Sequence, residues 1–435
     1  MRAALLALLV IVASAGAAAQ APRGAVLYDG ARLITGEGGP AIERAAFLVE
    51  NGRFTRVGRQ GEVQAPPGAA RVDLTGKTVI PALIDAHSHI GYMKDLTSGP
   101  QNYTRENILD HMRRFAYFGV AASQAMGSDF GELPFQLREE LAAGGHPDAA
   151  RFLTAGRGLA PLDEISADNM RHAAYVVTTV EGARANVREL ARAKVRFVKT
   201  WVDSRGGAIM PLAPALYRAV IDEAHAHGLR VVVHATGLAE AKDLLRAGID
   251  VFGHMMSDVD DELLALFRQR PNTAILLALN APRRIVSAPW LTPPHPLILE
   301  TVSPRQIARL QNRLARGVKL LSAAGVTIGV GTDGAGQTGD QFVGWTMHTE
   351  MDNMVAAGMT PAEVLVAATR TSAEILGLTD LGTVAAGRSA DFVVLDANPL
   401  DDITHTRRIS RVFLRGQEVD RARLRAEWTR GFSVN

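Results

Sequence analysis

No cysteine occurs among the 435 residues. That absence excludes disulfides, Cys-ligated zinc, iron–sulfur clusters and thiol nucleophiles together, so any metal must be held by imidazole, carboxylate or a less usual donor. An excess of one charge is also missing, because 47 basic and 45 acidic residues leave a formal charge of +2. The densest basic stretches, around Arg184 to Arg196 and Arg407 to Arg425, alternate with apolar or acidic residues as amphipathic segments do. No nucleic-acid partner is expected. The glycine-containing stretches at Gly36 to Gly39 and Gly331 to Asp340 lack the spacing of a dinucleotide fingerprint or P-loop and read as turns. No Gly-x-Ser-x-Gly elbow is found, which argues against a serine hydrolase. What is abundant is apolar residues, 47% of the chain, enough to bury a large core.

The N-terminus carries the one sustained apolar run. Arg2, then Ala3 to Ala13, then the small residues Ser14 to Ala19 have the parts of a signal peptide, and the run is about half the roughly 20 residues that cross a bilayer. Cleavage is expected after Ala19, which makes residues 1–19 a leader and the mature chain an exported, periplasmic or secreted protein with no membrane partner; an uncleaved anchor is the alternative. An exported chain without cysteine fits an oxidising compartment.

From Val26 to Val57 short strands and turns alternate, with Asn51-Gly52 as a hairpin signal. From Val79 to about Leu378 short apolar runs are separated by helical stretches, and such alternation implies parallel strands with crossover helices. The candidate strands are Val79–His89, Gly119–Met126, Arg151–Ala155, Val195–Val202, Arg230–His234, Asp250–His254, Ala274–Leu279 and Thr327–Asp333, which is the arithmetic of an α/β (β/α)8 TIM barrel. Strand patterning returns at Asp391–Asp396 and Ile409–Leu414. The expected division is a small composite β-sandwich from residues 20–78 and 384–435 around a barrel of residues 79–383.

Polar residues stand at the ends of these apolar strands. In LIDAHSH, Leu83, Asp85, His87 and His89 share parity, so two imidazoles point to one side and can chelate one ion. His234 closes VVVH, His254 closes DVFGH and Asp333 closes TIGVGTD, neighbouring positions on a barrel's catalytic rim. Lys199 lies within the apolar strand VRFVKTWVD, where an ammonium is costly without a partner. Two explanations stand: a salt bridge to Asp333 or Asp203, or carbamylation, which turns the amine into a carboxylate able to bridge two ions. Trp201 shares parity with Lys199 and lies toward the rim, either walling a substrate pocket or packing in the core.

These residues carry a resemblance. His-x-His on the first strand, Lys on the fourth, His on the fifth and sixth and Asp on the eighth, with the tail LGTVAAGRSADFVVLDANPLDD, resemble the amidohydrolase superfamily from Val26 to about Val419. By Lys199 the chain is similar to the prolidase-like and aryldialkylphosphatase-like members rather than the imidazolonepropionase and cytosine-deaminase types, which lack that lysine. Ala82 stands where the family usually has glycine. The resemblance implies that His87 and His89 hold one divalent ion with Asp333, that His234 and His254 hold a second, and that Lys199 bridges both as its carbamate. Zinc is the default ion, since imidazole and carboxylate suit it. It further implies attack on a carbonyl by a metal-bridging hydroxide, with Asp333 as general base and then acid.

The expected function is hydrolysis of an amide bond in a dipeptide or N-acyl amino acid. A lactonase or organophosphate-ester hydrolase uses the same centre, and a non-catalytic exported metal-binding protein is the alternative from another class. The expected partner is a small-molecule substrate, and association of copies of the chain is left open. His225 and His227 lie two apart on a helix and cannot share a face. His111, His172 and His295 lack strand-end context, and His348 reads as structural. Arg157, Arg205, Arg283 and Arg284 lie in strand-end loops and could receive a substrate carboxylate.

Overall fold

Parallel strands alternating with amphipathic helices position everything that follows. The structure, a computed structural model, describes residues 24–430 except 96, 163–172, 205–206, 208, 280–303 and 337–341. The leader 1–19 therefore lies outside the described residues, as do His172, Arg205, Arg283, Arg284 and His295.

Leu83–Ser88, Val120–Ala125 and Arg151–Thr154 form one parallel sheet in which the second strand is central. Phe197–Trp201, Arg230–His234, Val251–Phe252, Ala274–Leu277 and Thr327–Val330 pair in chain order, all parallel, in another. The two sheets meet at both margins. Ser88 bridges Gly334 in parallel, with the Asp333 N–H donating to the His87 carbonyl at 2.8 Å. On the other side Leu159 pairs with Thr200, and the Gly158 N–H donates to the Gly127 carbonyl at 2.7 Å. The result is a TIM-barrel-like α/β fold. Val231, Val232 and Val233 are fully buried, as expected of strands covered on both faces. The helix Val180–Arg192 shows the outer layer's logic: Thr179 caps it by accepting the Gly182 N–H, and Ala183, Val187 and Leu190 form its buried stripe.

The chain ends build the remaining sheet. Val26–Leu33, Ile42–Glu50, Arg53–Arg59, Ala70–Asp73, Thr78–Pro81, Phe392–Leu395, Ile409–Leu414 and Gln417–Glu418 join into one hydrogen-bonded sheet. The expected hairpin is present, with positive φ at both Asn51 and Gly52. Rings from both ends pack together, Phe392 stacking on Phe413 at 4.4 Å and meeting Tyr28 edge-on at 5.1 Å.

One boundary is corrected. The expected strand Val79–His89 is two strands, and Thr78–Pro81 belongs to the terminal sheet, antiparallel to Phe392–Leu395. The handover is abrupt: the Ala82 N–H donates to Asp391, and the next N–H, of Leu83, donates to Gly119. Residues 79–84 are apolar and buried in both sheets, so composition shows no seam there.

Candidate metal centre

All of Leu83–Ser88 is buried, and its pleat sends the His87 ring toward the sixth and eighth parallel strands. Nδ1 of His87 donates to the Gly253 carbonyl at 3.0 Å, which leaves Nε2 as the lone-pair nitrogen of the neutral ring. Glycine is needed around it. A Cβ at position 331 would lie 2.5 Å from that of His87, and one at position 253 would lie 3.1 Å from the His87 ring and 3.3 Å from Lys199 Nζ.

Asp333 Oδ1 lies 2.9 Å from His89 Nε2 and 3.3 Å from His87 Nε2. The His87 lone pair faces a carboxylate oxygen, which repels unless a cation lies between them. One donor atom each from His87, His254 and Asp333 lie within 4.8 Å of one another. The His254 ring is 5.0 Å from His87 and 4.3 Å from His234. Lys199 Nζ, on a fully buried side chain, sits 3.4 Å from His87 Nε2. All six ligand candidates from the sequence are thus linked in one cluster, and its tightest three draw from both expected ion sites.

The electrostatics favour neutral imidazoles around one anion. Burial, reinforced by the Lys199 ammonium, pushes His87 well below the usual histidine range, and burial with the adjacent His234 does the same to His254. Burial pushes the Asp333 carboxyl up, yet His254, His87 and His89 together hold it well below the usual carboxylate range. Asp333 has a left-handed φ of 51°, a conformation aspartate tolerates better than most residues and one that clusters at functional sites. Its side chain keeps 26% exposure, so it is partly open to solvent.

The Amidohydrolase family profile matches residues 78–419. The chain belongs to the amidohydrolase family. An imidazolonepropionase of Salinispora tropica is 27% identical over 391 residues, covering 83% of this chain and 88% of its own. A Mycobacterium tuberculosis protein of uncharacterized function is 28% identical over 350 residues, 77% of this chain and 83% of its own. Among solved structures, a Bifidobacterium longum protein assigned as a prolidase superposes with a TM-score of 0.75 at 28% identity, covering 95% of this chain and all of that one.

The structure gives two carboxylates of this amidohydrolase contacts in the site that the sequence did not assign to them. Asp85, buried within the His-x-His strand, accepts from the Thr332 N–H at 3.0 Å, the Thr332 hydroxyl at 2.7 Å and the His87 N–H at 3.2 Å, fastening the eighth strand to the first. Burial raises its carboxyl to about 7. Its shared parity with both histidines was the available signal. Asp203, weighed as a partner for Lys199, instead lies 3.5 Å from His234 Nε2 and accepts from the Thr236 N–H and hydroxyl. Burial raises Asp203, but His234 and Thr236 more than offset this and leave its carboxyl below the usual range. Nε2 of His234 is thereby the ring nitrogen turned to Asp203.

Other singled-out residues serve packing. His111 accepts from the Gly91 N–H and donates to Met93, His348 donates to Phe118, His225 meets Asp250 and His227 meets Glu223. Trp201 is 3% exposed and clusters with Ala160 and Ala174, its ring 5.4 Å from Lys199 Nζ. Arg157 donates to the Ala173 carbonyl and stacks on Tyr175. It lines a cavity of about 460 Å³ with Asp129 and Glu189, and none of the six ligand candidates borders that cavity.

Asp129 yields a pH prediction. It is fully buried, accepts from the Tyr103 and Thr154 hydroxyls, and burial raises its carboxyl to about 7. Its folded value lies above its unfolded one, so its contribution is full at low pH and is lost as pH rises toward 7. Unfolding free energy should fall between pH 4 and 8 by on the order of 1 to 4 kcal/mol more in the wild type than in Asp129→Asn. Denaturant melts of both proteins across that range check this, and parallel curves would refute it.

Proposed function

We propose that this amidohydrolase is a binuclear metal-dependent hydrolase cleaving the C–N bond of a dipeptide or N-acyl amino acid. The observation that carries the reading is Lys199 Nζ, fully buried and 3.4 Å from the lone-pair nitrogen of His87. A buried ammonium beside imidazoles and expected cations would be costly, whereas a carbamate there supplies a shared anionic ligand. The donor set fits divalent ions, zinc by preference: neutral imidazoles, one carboxylate, and bare glycine backbone at position 253 beside the lysine head. His87, His89 and Asp333 would hold one ion, His234 and His254 the other, and Lys199 both.

Bound there, the ions supply Lewis acidity and lower the pKa of water. The chain's own residues do the rest. Asp333, low in pKa and within reach of solvent, takes the proton from the attacking water and delivers it to the leaving nitrogen. Asp203 orients His234, and Asp85 keeps the strand carrying His87 and His89 in register with Asp333. The Bifidobacterium longum protein assigned as a prolidase supports the peptide-like substrate class, while the imidazolonepropionase relative makes a cyclic amide the competing substrate.

A panel of dipeptides, N-acyl amino acids, imidazolonepropionate, lactones and phosphotriesters, run on metal-reconstituted protein, tests this. Linear amides should show the highest kcat/KM. Two bound metals with turnover confined to lactones, phosphotriesters or the cyclic amide would overturn the substrate class.

A further inference from the structure

The two imidazoles of the His-x-His pair are held by different acceptors. Nδ1 of His87 meets a backbone carbonyl, Gly253. Nδ1 of His89 meets the hydroxyl of Ser128 at 2.9 Å, with its Nε2 facing Asp333. A fully buried hydroxyl is costly unless bonded, so a serine here calls for a partner that alanine would not serve. Ser128 is itself fixed from several directions. Its carbonyl accepts from the Tyr92 hydroxyl at 2.5 Å, and its backbone bridges Arg157 beyond the third strand. Its neighbour Asp129 is anchored by the Tyr103 hydroxyl at 2.8 Å and by Thr154.

We propose that Ser128 is a positioning residue for the metal centre, its hydroxyl selecting the His89 tautomer and ring angle that present Nε2 beside Asp333. The loop from Met126 to Gly131 works as a bracket. The hydroxyls of Tyr92, Tyr103 and Thr154 hold it at Ser128 and Asp129, so that one hydroxyl reaches His89 at a fixed distance. Glycine at 127, with a positive φ and a would-be Cβ 2.6 Å from the Lys199 side chain, lets the same loop pass close to the lysine.

This inference rests on His89 being a metal ligand. The test is competitive chelator titration with Zn²⁺ on wild type, Ser128→Ala and Ser128→Thr, beside the melting temperature of each apoprotein and kcat and KM of each loaded enzyme. Ser128→Ala should weaken the ion that His89 would hold by roughly 10- to 100-fold, the range for outer partners of a ligating histidine, with the apoprotein melting near wild type. Ser128→Thr, which restores a hydroxyl, should recover most of the affinity. Equal affinity in Ser128→Ala and wild type would overturn the role, as would a loss that threonine does not rescue or that tracks a lowered apoprotein melting temperature. Wild-type protein that binds no zinc would overturn the ligand assignment itself, and with it this inference.

Discussion

Lys199→Met is expected to bind fewer than two ions per chain and to lose activity by roughly 10³-fold or more, since the several kcal/mol a metal contributes at the transition state convert to that scale. Methionine keeps most of the volume of a fully buried side chain that fills the space between Trp201 and Gly127, so the fold should survive. What it cannot do is add carbon dioxide. In Lys199→Ala, which vacates that space, a short carboxylate such as acetate, supplied with excess metal, should restore part of both metal content and rate, because it provides the missing anion where the amine stood. Elemental analysis paired with initial rates decides the matter. Two ions retained at full rate would refute the bridging role, and loss of ions with a matching fall in apoprotein melting temperature would reduce Lys199 to a packing residue.

Asp333→Asn isolates proton transfer from ligation. Asparagine also tolerates the left-handed φ of 51° at this position, so the backbone should be kept, and its amide oxygen can still reach an ion. The rate should fall by roughly 10² to 10⁴, the usual contribution of a positioned acid–base group, with metal occupancy largely retained. Because three histidines hold the Asp333 carboxyl low, it is ionised across the neutral range in the wild type. The acidic limb of kcat/KM against pH should therefore change in the variant, reporting the coupled water and carboxylate rather than either alone. An unchanged kcat/KM with a lowered melting temperature would leave Asp333 as a loop-stabilising residue only.

The strand-end residues were legible because a parallel α/β fold writes its site at fixed places in the chain. His234 ends the strand Arg230–His234 as expected, and Ile409–Leu414 also forms over the expected residues. Lys199 could be singled out because a charge inside an apolar strand violates the pattern around it. Hidden were the contacts that orient these groups, since each joins segments far apart in sequence through only one or two hydrogen bonds. Asp85 reaches Thr332, Asp203 reaches Thr236, and Ser128 reaches His89, and no local periodicity marks such pairs. The seam at Ala82 was hidden for a different reason, because buried strands of two adjacent sheets have the same apolar composition.

That seam also imposes an order in time. Thr78–Pro81 runs directly into the strand bearing His87, yet its antiparallel partner, Phe392–Leu395, is more than 300 residues downstream and is synthesised long after it. Closing so long a loop costs entropy before its pairing gives anything back. The strand bearing His87 is therefore made early, and the segment that leads into it is fastened only when its distant partner has been made.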